Sequence, residues 1–115
     1  MSSSVLGLSI DCSDAAKLAY FWADVLGSSV NSDPTPEFAA IDAANGAPRL
    51  AFHQVPEAKT VKNRLHIDLI SAQFGAESER LLALGATRIR DVERGGARWT
   101  TFADPEGNEF DLVAG

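Results

Sequence analysis

The sequence is short of several things, and each shortage closes off a class of protein. It has one cysteine, Cys12, so no internal disulfide can form, and the expected setting is the reducing cytoplasm. Its apolar runs are only a few residues long, so no membrane-crossing helix is expected. The opening Met1-Ser2-Ser3-Ser4 lacks the basic and apolar stretches of a secretory leader, and none is expected. Basic residues are scarce: 10 Lys and Arg stand against 16 Asp and Glu, for a formal charge of −6. The basic footprint of a nucleic-acid-binding chain is missing, so nucleic acid is not an expected partner. The acidic balance serves solubility first, and attraction of cationic small molecules second. Histidine is limited to His53 and His66. No Ser/His/Asp order and no Cys/His pair fits a hydrolase signature.

What is present describes a folded domain. A chain of 115 residues is one domain's worth, and 45% hydrophobic residues exclude a wholly disordered polymer. Leu6, Leu8 and Ile10 alternate with Gly7, Ser9 and Asp11, so 5–12 reads as a strand. Ser13 and Asp14 are N-cap candidates for a helix whose apolar positions are Leu18, Phe21, Trp22, Val25 and Leu26. Gly27 is its stop. Short β-like pieces follow at 28–31 and 37–42, and Asn45-Gly46 signals a hairpin before a strand at 48–55. After a polar connector, 56–63, the pattern returns: a strand at 64–70, a helix at 74–84 ending at Gly85, and strands near 86–92, 97–103 and 108–113. Gly95-Gly96 and Asp104-Pro105-Glu106-Gly107-Asn108 are the turns; the latter has no phosphate-loop spacing.

The element order is thus β-α-β-β-β, twice. Ser9-Ile10-Asp11-Cys12 matches His66-Ile67-Asp68-Leu69 at an offset of 57, and Leu26-Gly27 matches Leu84-Gly85 at an offset of 58. Two modules, 5–55 and 64–113, are expected to form one domain over 1–115. Within a strand, opposite faces differ by one residue. Leu65, Ile67 and Leu69 are expected to lie under a helix, with Arg64, His66 and Asp68 on the polar face. The same parity sets Phe110 and Leu112 against Asp111, and Leu50 and Phe52 against Ala51 and His53.

The duplicated modules and two stretches, Val55 to Asp68 and Trp99 to Phe110, resemble the vicinal-oxygen-chelate superfamily, in its glyoxalase-like branch. That superfamily includes glyoxalase I, extradiol dioxygenases, and fosfomycin- and bleomycin-resistance proteins. The resemblance implies an α+β fold: two paired βαβββ modules forming a cup-shaped, eight-stranded mixed sheet with helices on the outer face. It implies a homodimer and a small-molecule ligand. It also implies a metal held by the first and last strands of each module. Carried over by position, the set is His53, His66 and Asp111, with His53 chosen over Ala51 by the 58-residue offset. The fourth position falls on Ser9, or on Leu8 after a one-residue slip, and neither is a usual ligand. Two imidazoles and a carboxylate suit a divalent Zn, Ni, Fe or Mn ion. Ser9, Asp11, Phe38, His66, Asp68 and Trp99 are the expected ligand-lining residues. Two functions stay open: a metal-dependent lyase, isomerase or dioxygenase, and a metal-free binding protein that sequesters a drug or other small compound. His66 in the latter case bonds Asp68, Asp11 or a strand neighbour.

Overall fold

The structure, a computed structural model, describes residues 2–115. The chain divides into two compact units, Met1–Ala58 and Lys59–Gly115. The described residues form two helices and seven strands, in mixed sheets of three and four strands. No helix among the described residues is long and apolar enough to cross a membrane.

In the first unit, β1 (Gly7–Cys12) leads into α1 (Ala15–Leu26), then β2 (Phe38–Ile41) and β3 (Arg49–Gln54). β3 is central, parallel to β1 and antiparallel to β2. Local chemistry sets both ends of α1. The Asp14 side chain accepts from the Lys17 amide at 3.1 Å, satisfying a donor that the first turn leaves open. Gly27 takes the left-handed conformation at φ 65°, and the Ser28 amide then reaches back to the Ala23 carbonyl at 2.8 Å. Leu18, Trp22 and Val25 are buried on the face that meets the sheet, as are Leu50 and Phe52 of β3. Cys12 is buried too, and its thiol donates to the His53 carbonyl at 3.5 Å.

The expected eighth strand, at 28–31, is not formed. That segment joins its neighbour through one backbone bond, Asn31 N–H to the Ala40 carbonyl at 2.8 Å. The Asn31 side chain donates to Asp42. One ladder bond fixes too few dihedrals to define a strand.

In the second unit, β4 (Asp68–Ser71), α2 (Phe74–Leu84), β5 (Thr87–Arg94), β6 (Ala97–Ala103) and β7 (Glu109–Ala114) repeat the plan in full. The sheet order is β4-β7-β6-β5, with β4 parallel to β7 and the other neighbours antiparallel. Phe102, Phe110 and Leu112 are buried on one face, and α2 packs on β4 and β7, burying Leu81. Gly95 and Gly96, at φ 58° and 83°, close the β5–β6 hairpin in the two-residue geometry that suits twisted strands.

Two expectations fail at the start of this unit. The strand expected at 64–70 begins only at Asp68, so His66 precedes β4 and is not mid-strand. Leu65 is 73% exposed instead of lying under a helix. The cause is Asn63. Its Oδ1 accepts from the Glu109 amide at 2.9 Å, and its Nδ2 donates to the carbonyls of Leu65 and Glu109. A side chain here occupies the groups on β7 that a longer β4 would pair with.

Candidate functional site

The register of the second sheet lines up its polar face row by row. Residues directly opposite each other on neighbouring strands point to the same side. One row runs Asp68, Asp111, Thr101, Arg90. The next runs Ile70, Val113, Trp99, Val92. Beyond it Ala97 faces Arg94. A β-bulge between Arg88 and Arg90 decides which side the β5 arginines take. Arg88 stays on the core side, its guanidinium 5.9 Å from the Phe102 ring centre. Arg90, Val92 and Arg94 turn to the polar side, where they line a cavity of about 210 Å³ with His66, Trp99, Thr101, Asp111, Glu109 and Lys62.

His66, Asp68 and Asp111 converge at one end of the polar row. Their ligand-capable atoms all lie within 4.8 Å of one another. His66 Nδ1 is 2.8 Å from Asp68 Oδ1 and 3.9 Å from Asp111 Oδ2. The other Asp111 oxygen, Oδ1, accepts from the Thr101 hydroxyl at 2.6 Å, which fixes the carboxylate and leaves Oδ2 toward the histidine. For bonds of about 2.1 Å, two ligand atoms on one ion stand about 3.0 Å apart at right angles and about 3.4 Å apart at the tetrahedral angle. The observed separations straddle those values, so small rotations of two partly exposed side chains fit an ion. One imidazole and two carboxylates make an oxygen-rich set, which suits Mn(II) or Fe(II) better than a thiophilic metal.

Beside this group Glu109 carries two cations, Lys62 at 3.2 Å and Arg90 at 3.5 Å. The hydrogen bond from Lys62, aided by the charges of Lys62 and Arg90, holds its carboxyl below the usual 4.5 against the opposing pull of burial. Glu109 therefore stays ionised and occupies Lys62 and Arg90. Arg94 has no ion-pair partner among the described residues.

The residues singled out in the sequence divide between the units. Trp99, His66, Asp68 and Asp111 come together in the second. Ser9, Asp11, Phe38 and His53 lie in the first, where Asp11, His53 and Phe38 face each other across β1, β3 and β2. Asp11 pairs with His53 as Asp68 pairs with Asp111, so the duplication extends to the register. The His53 ring packs edge-on against Phe38 at 5.1 Å. Ser9 pairs with Ala51. Sequence reasoning passed over Thr101, Arg90 and Arg94. The alternation of β5 is visible in the sequence, but the bulge that assigns its faces is not.

No curated protein matches the chain. Solved structures do, at low identity. A variant of the fosfomycin resistance protein FosX from Listeria monocytogenes, complexed with Mn(II) and 1S,2S-dihydroxypropylphosphonic acid, is 18% identical. Its TM-score is 0.80, and the match covers 100% of this chain and 92% of that one. A glyoxalase/bleomycin resistance/dioxygenase family enzyme from Burkholderia phytofirmans PsJN is 20% identical, with a TM-score of 0.77 over 97% of this chain and 98% of that one. Lactoylglutathione lyase from Agrobacterium tumefaciens is 15% identical, with a TM-score of 0.70 over 100% and 96%. These likenesses establish the paired-module fold and leave the reaction open. The sequence itself fits the family model described as a glyoxalase-like domain over residues 7–113, and the chain belongs to that family.

Proposed function

We propose that the protein is a divalent-metal-dependent enzyme acting on a small molecule with adjacent oxygen atoms, as a lyase, isomerase or dioxygenase. The observation that carries this reading is the convergence of His66, Asp68 and Asp111, two of which, His66 and Asp111, line a cavity. Fold neighbours add support, since one is complexed with Mn(II) and another is a lactoylglutathione lyase. A divalent ion at this position supplies Lewis-acid polarisation of neighbouring substrate oxygens. The chain's own contribution is orientation. Thr101 holds Asp111, and Trp99 offers a flat wall in the same cavity. The test is titration of chelator-stripped protein with Mn(II), followed by the loss of the free-ion electron paramagnetic resonance signal. One tightly bound ion per chain is the expected result, and no binding at millimolar Mn(II) overturns the reading.

One observation favours the metal-free alternative: His66 Nδ1 already has Asp68 as a hydrogen-bond partner at 2.8 Å. The same titration separates the two, because a hydrogen-bonded pair without an ion gives no saturable uptake.

The Thr101 hydroxyl allows a finer check. Thr101→Val keeps the side chain's shape in its buried position and deletes the bond to Asp111. Loss of such a supporting contact is expected to weaken Mn(II) binding about 10-fold, read by calorimetry. Unchanged affinity would show that the Thr101 contact does not orient Asp111 for the ion.

A further inference from the structure

Three successive rows of the polar face differ in chemistry as well as in position. The first is oxygen-rich and holds Asp68, Asp111 and Thr101; the second is apolar, with Trp99 between Val92 and Val113; the third carries Arg94 opposite Ala97. Same-face positions along a strand recur every two residues, or roughly 7 Å, so Arg94 stands roughly 13 Å along the strand from the metal-ligand row. Trp99 lies between them. Arg90, the other arginine of this face, is engaged by Glu109 at 3.5 Å, whereas Arg94 has no ion-pair partner among the described residues. In a chain with a formal charge of −6, an unpaired guanidinium lining a cavity is a local reversal of sign. A guanidinium recognises a carboxylate through two parallel hydrogen bonds, and an indole face recognises a flat ring. The cavity volume of about 210 Å³ lies below the roughly 300–1,000 Å³ of pockets for drug-sized ligands, which favours a ligand of about a single ring.

We infer that the site takes a small, planar organic anion: its ring lies against Trp99, its acid group meets Arg94, and its far end points to His66, Asp68 and Asp111. Where the far end sits rests on the metal reading above; the anion and ring subsites rest on Arg94 and Trp99 alone. This sets aside the cationic ligand that the net charge of the chain suggests, because the charge that a ligand meets is that of the cavity wall.

The test uses the metal-free protein, with a chelator present, and three probes: benzoate, benzylamine and acetate. Binding is followed by nuclear magnetic resonance at the two indole N–H signals. Trp22, 2% exposed in the first unit, is the internal control. Benzoate is expected to move the Trp99 signal saturably and leave Trp22 in place. Benzylamine, of opposite charge, and acetate, without the ring, are each expected to bind at least 10-fold more weakly. Arg94→Gln should weaken benzoate binding about 10-fold, and Arg94→Lys should recover part of the loss. Equal affinity for benzoate and benzylamine, or an unchanged benzoate affinity in Arg94→Gln, overturns the inference. The Mn(II) titration reads the other proposal separately. Mn(II) uptake without a preference for benzoate rejects the anion subsite and keeps the metal centre. The benzoate pattern without Mn(II) uptake rejects the metal centre and supports the subsite.

Discussion

Replacing His66 with alanine is expected to weaken Mn(II) binding by about 100-fold or more, because it removes the only nitrogen donor of the group and leaves two carboxylates. The fold should not register the change. The side chain is 40% exposed, lies outside β4, and is hydrogen-bonded to Asp68, itself 58% exposed, so stability should stay within about 0.5 kcal/mol. The two aspartates should separate. Asp111 is held by Thr101 and only 19% exposed, whereas Asp68 is 58% exposed. A preset carboxylate loses less entropy on binding an ion, so Asp111→Asn should cost more affinity than Asp68→Asn. Calorimetric titration of the three variants checks the order. Wild-type affinity in His66→Ala would refute the metal centre at this position.

The largest stability effect is expected from the opposite face of the same sheet. Phe102 is fully buried and stacks on Phe110, with ring centres 5.7 Å apart and planes 22° from parallel. Phe102→Ala removes a buried aromatic ring from a sheet that cannot collapse inward without breaking its ladders. Such truncations cost about 3–5 kcal/mol, a large share of the roughly 5–15 kcal/mol that holds a domain folded. Urea unfolding followed at the Trp99 indole should show it as a lower midpoint. A double-mutant cycle with Phe110→Ala should return a coupling of about 0.5–1.5 kcal/mol for the ring pair. A loss below about 1 kcal/mol in Phe102→Ala would mean that this face is not the core of the unit.

What the sequence revealed divides along a physical line. Features set within a few residues were legible: the Asp14 cap, the Gly27 and Gly85 stops, the Gly95-Gly96 turn, and the parity that sets Asp111 against Phe110 and Leu112. Features set by a distant partner were not. The 64–70 stretch alternates like a strand, yet Asn63 caps the groups on β7 that would have extended it. The 28–31 segment, Ser-Ser-Val-Asn, has one β-former, Val30, and finds only one ladder bond. The candidate site was legible to a similar degree. His66 and Asp111 stood out through the family resemblance, which implies metal ligands on the first and last strands of a module, and Asp68 and Trp99 through their places on the expected strands. Thr101 did not, because a threonine in a strand is ordinary until its neighbour across the ladder is known.

The bulge in β5 also bears on which changes of chain length this unit can absorb. Ile89 is the surplus residue between two stretches of regular pairing, and it is 44% exposed. Deleting it would let Arg88 and Arg90 become consecutive on opposite faces, with every later pairing intact and Arg90, Val92 and Arg94 still facing the cavity. Deleting any residue from Asp91 to Glu93 would instead turn at least one of those side chains toward the core. This strand can therefore lose one residue at that point without turning its cavity-lining side chains away, while Asp91 to Glu93 have no such freedom.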